Sequence, residues 1–227
     1  MAEVDAASIS TVTPGEPDLW FVLPPGFFEM KLDESGEDRM LRMADAVDPM
    51  FSGTTPEQKM SLILSSEYAI ESMLDAGAVH LSTCLYRRDD EGISQGMLAV
   101  FIKRLGSTQR LDIAQGIADQ WLAENPEAEV GGVILPYGPA ALCILEREIP
   151  VPGAMFDTTE DGVAALRQLQ LALPLRSGTH TAVFAFSTED VDQWDNYLQV
   201  IAEILRTISA EEPALEPDGA TPQPTVG

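Results

Sequence analysis

The order of patterns along this 227-residue chain predicts an α+β fold, a central antiparallel sheet of about six or seven strands sandwiched by helices. Three observations carry that expectation. Apolar spacing switches between helical and strand periods several times. The strand-like runs come in neighbouring pairs joined by short turns, which forces antiparallel pairing. Each helical run has one apolar face, which must lie on something apolar.

The folded part opens at 19-LWFVLPPGFFEMKL-32, which reads as a short strand, a Pro-Pro-Gly turn and an extended continuation. A helix follows over 35–50: Ser35 and Asp38 have N-cap and third-position spacing, and Met40, Met43, Ala44 and Val47 form a stripe. The next helix, 55–77, starts on a Thr55/Gln58 capping box with Pro56 at its first position and ends at Gly77. Its predicted core face is Met60, Ile63, Leu64, Ile70, Met73 and Leu74. Then 78-AVHLSTCLYR-87 and 93-ISQGMLAVFIKR-104 form a hairpin with a charged tip, and 107–126 returns to helix until Asn125-Pro126.

In 131-GGVILPYGPAALCILERE-148, Val133–Leu135 and Ala141–Leu145 read as two core strands reversed by Pro136-Tyr137-Gly138-Pro139. A loop over 150–165 leads to a third hairpin, 166–176 with 179–187, turned at Ser-Gly. The last helix, 188–209, has Ser187 and Asp190 as a capping pair and a stripe of Val191, Trp194, Leu198, Ile201, Leu205 and Ile208. The domain is therefore bounded at 19–209. Residues 1–18 and the Pro-rich 210–227 read as disordered acidic tails, because neither has apolar area to offset its ordering entropy.

Charge excludes some functions. There are 13 Lys+Arg against 37 Asp+Glu, net −24. Each tail holds four acids and no base, so 29 acids still face 13 bases between them. Such a surface repels nucleic acid and anionic lipid and could attract a basic protein, but solubility, or the style of an acid-rich proteome, is the plainer explanation. No apolar run is long enough to span a membrane. The first residues lack the basic and apolar regions of a signal peptide, so the expected compartment is the cytoplasm.

The search for chemistry finds no complete catalytic constellation. His80 and Cys84 lie four apart on one strand, and with Cys143 and His180 they could converge as a zinc set; but zinc ligands usually come in close pairs, and none is present. The apolar flanks Val79 and Leu85 argue against a reactive Cys84, and both cysteines read as free and buried. Nucleophile-elbow, H-E-x-x-H and phosphate-loop motifs do not occur. The acids Asp89-Asp90-Glu91, Glu189-Asp190 and Asp157, Glu160, Asp161 read as solvated turns and caps. Neither a metal, a cofactor nor a catalytic residue is assigned.

The pieces LWFVLPPGFFEMKL, VILPYGPAALCIL and TAVFAFSTEDVDQWDNYLQVIAEILRTI, in this order across about 190 residues, resemble the PsbP-like α/β/α sandwich superfamily, and within it an actinobacterial group. The resemblance implies that fold. It also implies a use in binding and assembly: photosystem cofactors and subunits in one branch, a small GTPase in another, cell-envelope proteins in others. It transfers no binding residue, because no ligand motif is matched.

The expected function is a non-enzymatic binding or assembly module acting through protein–protein contacts. Service to a secretion or injection apparatus, or neutralisation of a basic partner, are two forms of it. Met155 and Phe156, two large apolar groups in a polar loop, either tuck over the core edge or form the partner contact. A rival reading is a small-molecule-binding protein or an enzyme without a familiar motif, using a cleft between the sheet and the first two helices near Trp20, Phe21 and Met60. Homodimerisation through a sheet edge or apolar patch is the third.

Overall fold

The computed structural model describes residues 8–11, 19–50, 55–87, 93–105, 110–151 and 162–212. The strands are β1 (Ser8–Thr11), β2 (Trp20–Leu23), β3 (Phe27–Glu29), β4 (Ala78–Arg87), β5 (Ile93–Arg104), β6 (Glu129–Ile134), β7 (Pro139–Val151), β8 (Gly162–Pro174) and β9 (His180–Thr188). The helices are α1 (Gly36–Met50), α2 (Pro56–Asp75), α3 (Arg110–Glu124) and α4 (Trp194–Arg206). Strands β3 to β9 form one antiparallel sheet in the order β3-β4-β5-β9-β8-β7-β6. The sheet is open, with β3 and β6 at its edges, and helices cover both faces: the expected α+β sandwich.

Strand alternation sorts the core into two layers. One face carries Cys84, Leu98, Val100, Ala182, Phe184, Phe186, Leu169, Leu171 and Leu173, and is covered by α4 and β2. Here α4 buries Trp194, Tyr197, Ile201, Ile204 and Leu205, while β2 and its neighbour bury Leu19, Phe21 and Leu23. Phe21 meets Phe184 edge-on at 5.4 Å, and Phe186 meets Tyr197 at 5.0 Å. Gly96 is required by this packing, since a Cβ there would stand 2.4 Å from the Phe186 ring. The opposite face is thinner. Ile70 of α2 packs there with Leu81, Met97 and Ala99 of the sheet, and Ala118 of α3 with Ala141 and Ala172.

Caps show where local chemistry acts. The Ser35 hydroxyl accepts the Asp38 N–H at 3.2 Å, as the spacing predicts. Gly77, at φ 85°, closes α2. At α4 the expected Ser187 cap is corrected. Ser187 is buried in β9, and Thr188 instead accepts the Asp190 N–H at 3.0 Å; one 3-10 turn precedes α4, which starts six residues later than expected from the apolar stripe.

The Tyr-containing turn also has a packing role. Leu135 and Gly138 exchange two backbone hydrogen bonds across Pro136-Tyr137. Tyr137 then turns into the core, and its hydroxyl accepts the Arg176 N–H at 3.2 Å.

The N-terminal reading needs a correction too. Residues 8–11, expected to be disordered, form β1 and pair antiparallel with β2. Ser-Ile-Ser-Thr suits a strand, and β2 has a ladder to offer there; its other side is occupied by Ser209, which exchanges two 2.9 Å hydrogen bonds with Trp20.

Candidate functional site

The proposed cleft residues are not brought together. Phe21 is fully buried on the α4 face, Trp20 is half-buried beside Ser209, and Met60 belongs to α2 on the opposite side of the sheet. The space between α1, α2 and the sheet is filled by Met43, Ile70, Met73, Leu74, Leu81 and Met97. Met155 and Phe156 lie outside the described residues. The ladder brackets them: Val151 pairs with Gly162 at the end of the long β7–β8 hairpin.

The histidines and cysteines are dispersed. Cys84 and His80 share the α4 face, as their spacing requires, whereas Cys143 is on the α3 face. His180 starts β9 and contacts Thr179 at 2.9 Å. Burial pushes the Cys84 thiol up to about 12 and raises Cys143 as well, so neither is a ready thiolate. Among the described residues no group of His, Cys, Asp and Glu could hold a metal ion.

One arrangement has the distances of a nucleophile, base and orienting acid. His80 Nε2 lies 3.2 Å from Ser82 Oγ; His80 Nδ1 lies 3.3 Å from a Glu29 oxygen, at ion-pair distance but outside hydrogen-bond alignment. Its burial is inverted for catalysis. Ser82 and His80 are sealed in the core, with Phe21 edge-on to the imidazole at 4.9 Å, while Glu29 reaches solvent. A nucleophile must meet substrate, so His80 and Ser82 are a buried polar pair of β4 rather than a catalytic set.

The outer face of α2 holds the feature that sequence reasoning misplaced. Ile63 and Ile70 point inward as predicted, but Met60 and Leu64 do not. The inward position between Ile63 and Ile70 is Glu67, and its charge is matched by Arg39 of α1. Both are buried; Arg39 Nε donates to Glu67 Oε2 at 3.1 Å, its Nη2 donates to Oε1, and its Nη1 donates to the Glu34 carbonyl at 2.6 Å. The Glu67 hydrogen bond raises the guanidinium pKa further. Gly36 makes room, because a Cβ there would stand 2.8 Å from Glu67.

With Glu67 turned inward, Met60, Leu64 and Tyr68 fall at steps of four on the outside. Met60 and Tyr68 are each 55% exposed. At 100° per residue the same face also takes Glu57, Glu71 and Asp75, all exposed. Leu41 of α1 is exposed in the same manner between Glu37 and Asp45, at i±4. These are apolar side chains framed by carboxylates. The only signal for them in the sequence was the acid at position 67, where a simple stripe wants an apolar residue.

No helix among the described residues is long and apolar enough to cross a membrane. No family model, no curated protein and no solved structure matches this chain.

Proposed function

We propose that this protein is a non-enzymatic binding or assembly module of the bacterial cytoplasm, and that the outer face of α1 and α2 receives a basic amphipathic helix of a protein partner. The carrying observation is the exposed Met60-Leu64-Tyr68 row with Glu57, Glu71 and Asp75 on the same face. Apolar side chains at i, i+4 and i+8 form one stripe against which an amphipathic helix can pack ridge against groove, and the carboxylates select Lys or Arg around the partner's apolar side. The overall charge of −24 steers such a partner inward. The likeness to PsbP-like sandwiches, a fold used for binding and assembly, supports the same reading. So does the buried state of Ser82, His80 and Cys84.

A synthetic Lys/Leu amphipathic helix tests it by fluorescence anisotropy. Binding is expected to weaken at least about tenfold between roughly 0.05 and 0.5 M salt, as screening requires. Leu64→Asp and Tyr68→Asp are each expected to weaken it by about tenfold or more. Unchanged affinity in both variants, or equal affinity for an acidic helix of the same apolar pattern, rules the surface out.

A further inference from the structure

Glycine in a strand needs a reason, because it costs about 0.5–1 kcal/mol relative to alanine. Such glycines mark a bulge, a tight bend or the close approach of another backbone. Strand β6 has two in succession, Gly131 and Gly132. Its register with β7 runs unbroken from Glu129 to Ile134, so there is no bulge. Neither glycine has a positive φ. A Cβ on either would meet nothing within 4 Å among the described residues. Gly96 and Gly36, by contrast, are each pressed by a named side chain.

Strand β6 is also the end of the sheet. Natural edge strands are blunted by brevity, Lys, Pro or a bulge. The other edge, β3, is three residues long and follows Pro24-Pro25. Strand β6 has six residues, no Lys, Pro or bulge, and a single charge, Glu129, at its start. The mutual hydrogen bonds of Leu135 and Gly138 set its alternation: residues 133 and 131 bond to β7, so Val130, Gly132 and Ile134 turn their N–H and C=O outward. Ile134, 81% exposed, stands on this edge.

We infer that β6 pairs antiparallel with β6 of a second copy of this chain, about a two-fold axis through Gly132. A two-fold perpendicular to a sheet joins only residues on the same face, and the outward groups of 130, 132 and 134 select Gly132 as the central hydrogen-bonded pair. The register then places Val130 against Ile134 of the second copy, and Gly131 against Val133. Each branched side chain meets either an apolar neighbour or the space a glycine leaves. Glu129, the one charge on the strand, falls opposite Leu135 rather than its own copy, and Arg167 stands 3.7 Å from it. Helix α3 lies over β7, so the two copies of α3 run about 14 Å apart, wider than the 8–10 Å of helices in contact. The result is one fourteen-stranded sheet. The self-complementary register favours a second copy over a foreign strand, and the charge of −24 on each copy makes the pairing tighten with salt.

Sedimentation of the full chain at concentrations up to about 200 μM tests this, since a short edge implies a dissociation constant on the order of 10 μM. The expected result is a dimer whose fraction rises from about 0.05 to about 0.5 M salt. Ile134→Lys is expected to weaken it about tenfold or more, as lysine does at natural edges. Gly132→Cys reads the register directly. At the axis its Cα atoms lie about 5.5 Å apart and should oxidise to a covalent dimer, whereas Gly131→Cys holds its pair about 8 Å apart and should not. The open space at both glycines lets these variants fold. A monomer under all conditions overturns the inference, as does a dimer in which Gly132→Cys crosslinks no faster than Gly131→Cys.

Discussion

The two faces of the sheet are built by different rules. The α4 face is closed by aromatic and long aliphatic side chains: Phe21, Phe184, Phe186, Trp194 and Tyr197, all buried. The opposite face is closed by alanines, methionines and an ion pair, and its outer helix surface still shows Met60, Leu64 and Tyr68 to solvent. Stability is concentrated on the first face, because buried aromatic area dominates core energetics. The second encloses smaller side chains and leaves apolar ones exposed on its outer helix. Leu171→Ala on the first face should therefore cost about 4–5 kcal/mol in denaturant unfolding and the like-for-like Leu81→Ala beneath α2 about 2–3, with Ile70→Val on α2 about 1. Equal losses from the two leucine variants would end the distinction.

The ion pair is the next place to break it. Arg39→Met leaves Glu67 buried without its partner and should cost about 3 kcal/mol. Adding Glu67→Leu should recover most of that loss, because an apolar pair of similar volume removes the unpaired charge. A double variant as unstable as the single one would mean that the pair stabilises the fold beyond satisfying itself.

This pair also explains what the sequence made legible. The seven-stranded antiparallel sheet, the helix order and the Ser35 cap could be read because each rests on local periodicity or turn chemistry. The core face of α2 could not be read correctly. A one-dimensional stripe takes every apolar residue as inward and every charge as outward, and Glu67 reverses that only through Arg39, 28 residues away. The cleft of Trp20, Phe21 and Met60 failed for a related reason: nothing local says that β2 crosses to the α4 face. The β6 edge escaped the sequence reading, which makes Val133–Leu135 a core strand, because its open side depends on strand order, a long-range property.

Alkaline pH should sharpen the comparison with a smaller effect. Burial pushes Cys84, Tyr86 and Tyr197 each to about 12, and all three belong to the α4 side. Unfolded, they ionise near about 8.5 for the thiol and about 10 for the phenols. The folded state therefore holds more protons above those values, so stability is full below about pH 8.5 and falls as pH rises toward 12. Thermal melts should show this decline. Tyr197→Phe, which also removes the 2.6 Å bond to Ser94, should lower the melting temperature at neutral pH yet flatten the alkaline slope. A slope unchanged by that substitution would place the alkaline loss elsewhere.

The smallest stability effect belongs to the outer row of α2. Leu64→Ser and Tyr68→Ser remove side chains that are 39% and 55% exposed, so each should change unfolding free energy by no more than about 0.5 kcal/mol. On the reading proposed above, this row makes the partner contact, and its framing by Glu57, Glu71 and Asp75 selects a basic one. The test has two readouts that must separate. Urea midpoints should stay put while affinity for a basic amphipathic helix falls about tenfold. If Leu64→Ser instead destabilised the chain as much as Ile70→Val does, the row would be part of the core, and the thinner face would have no surface to spare for a partner.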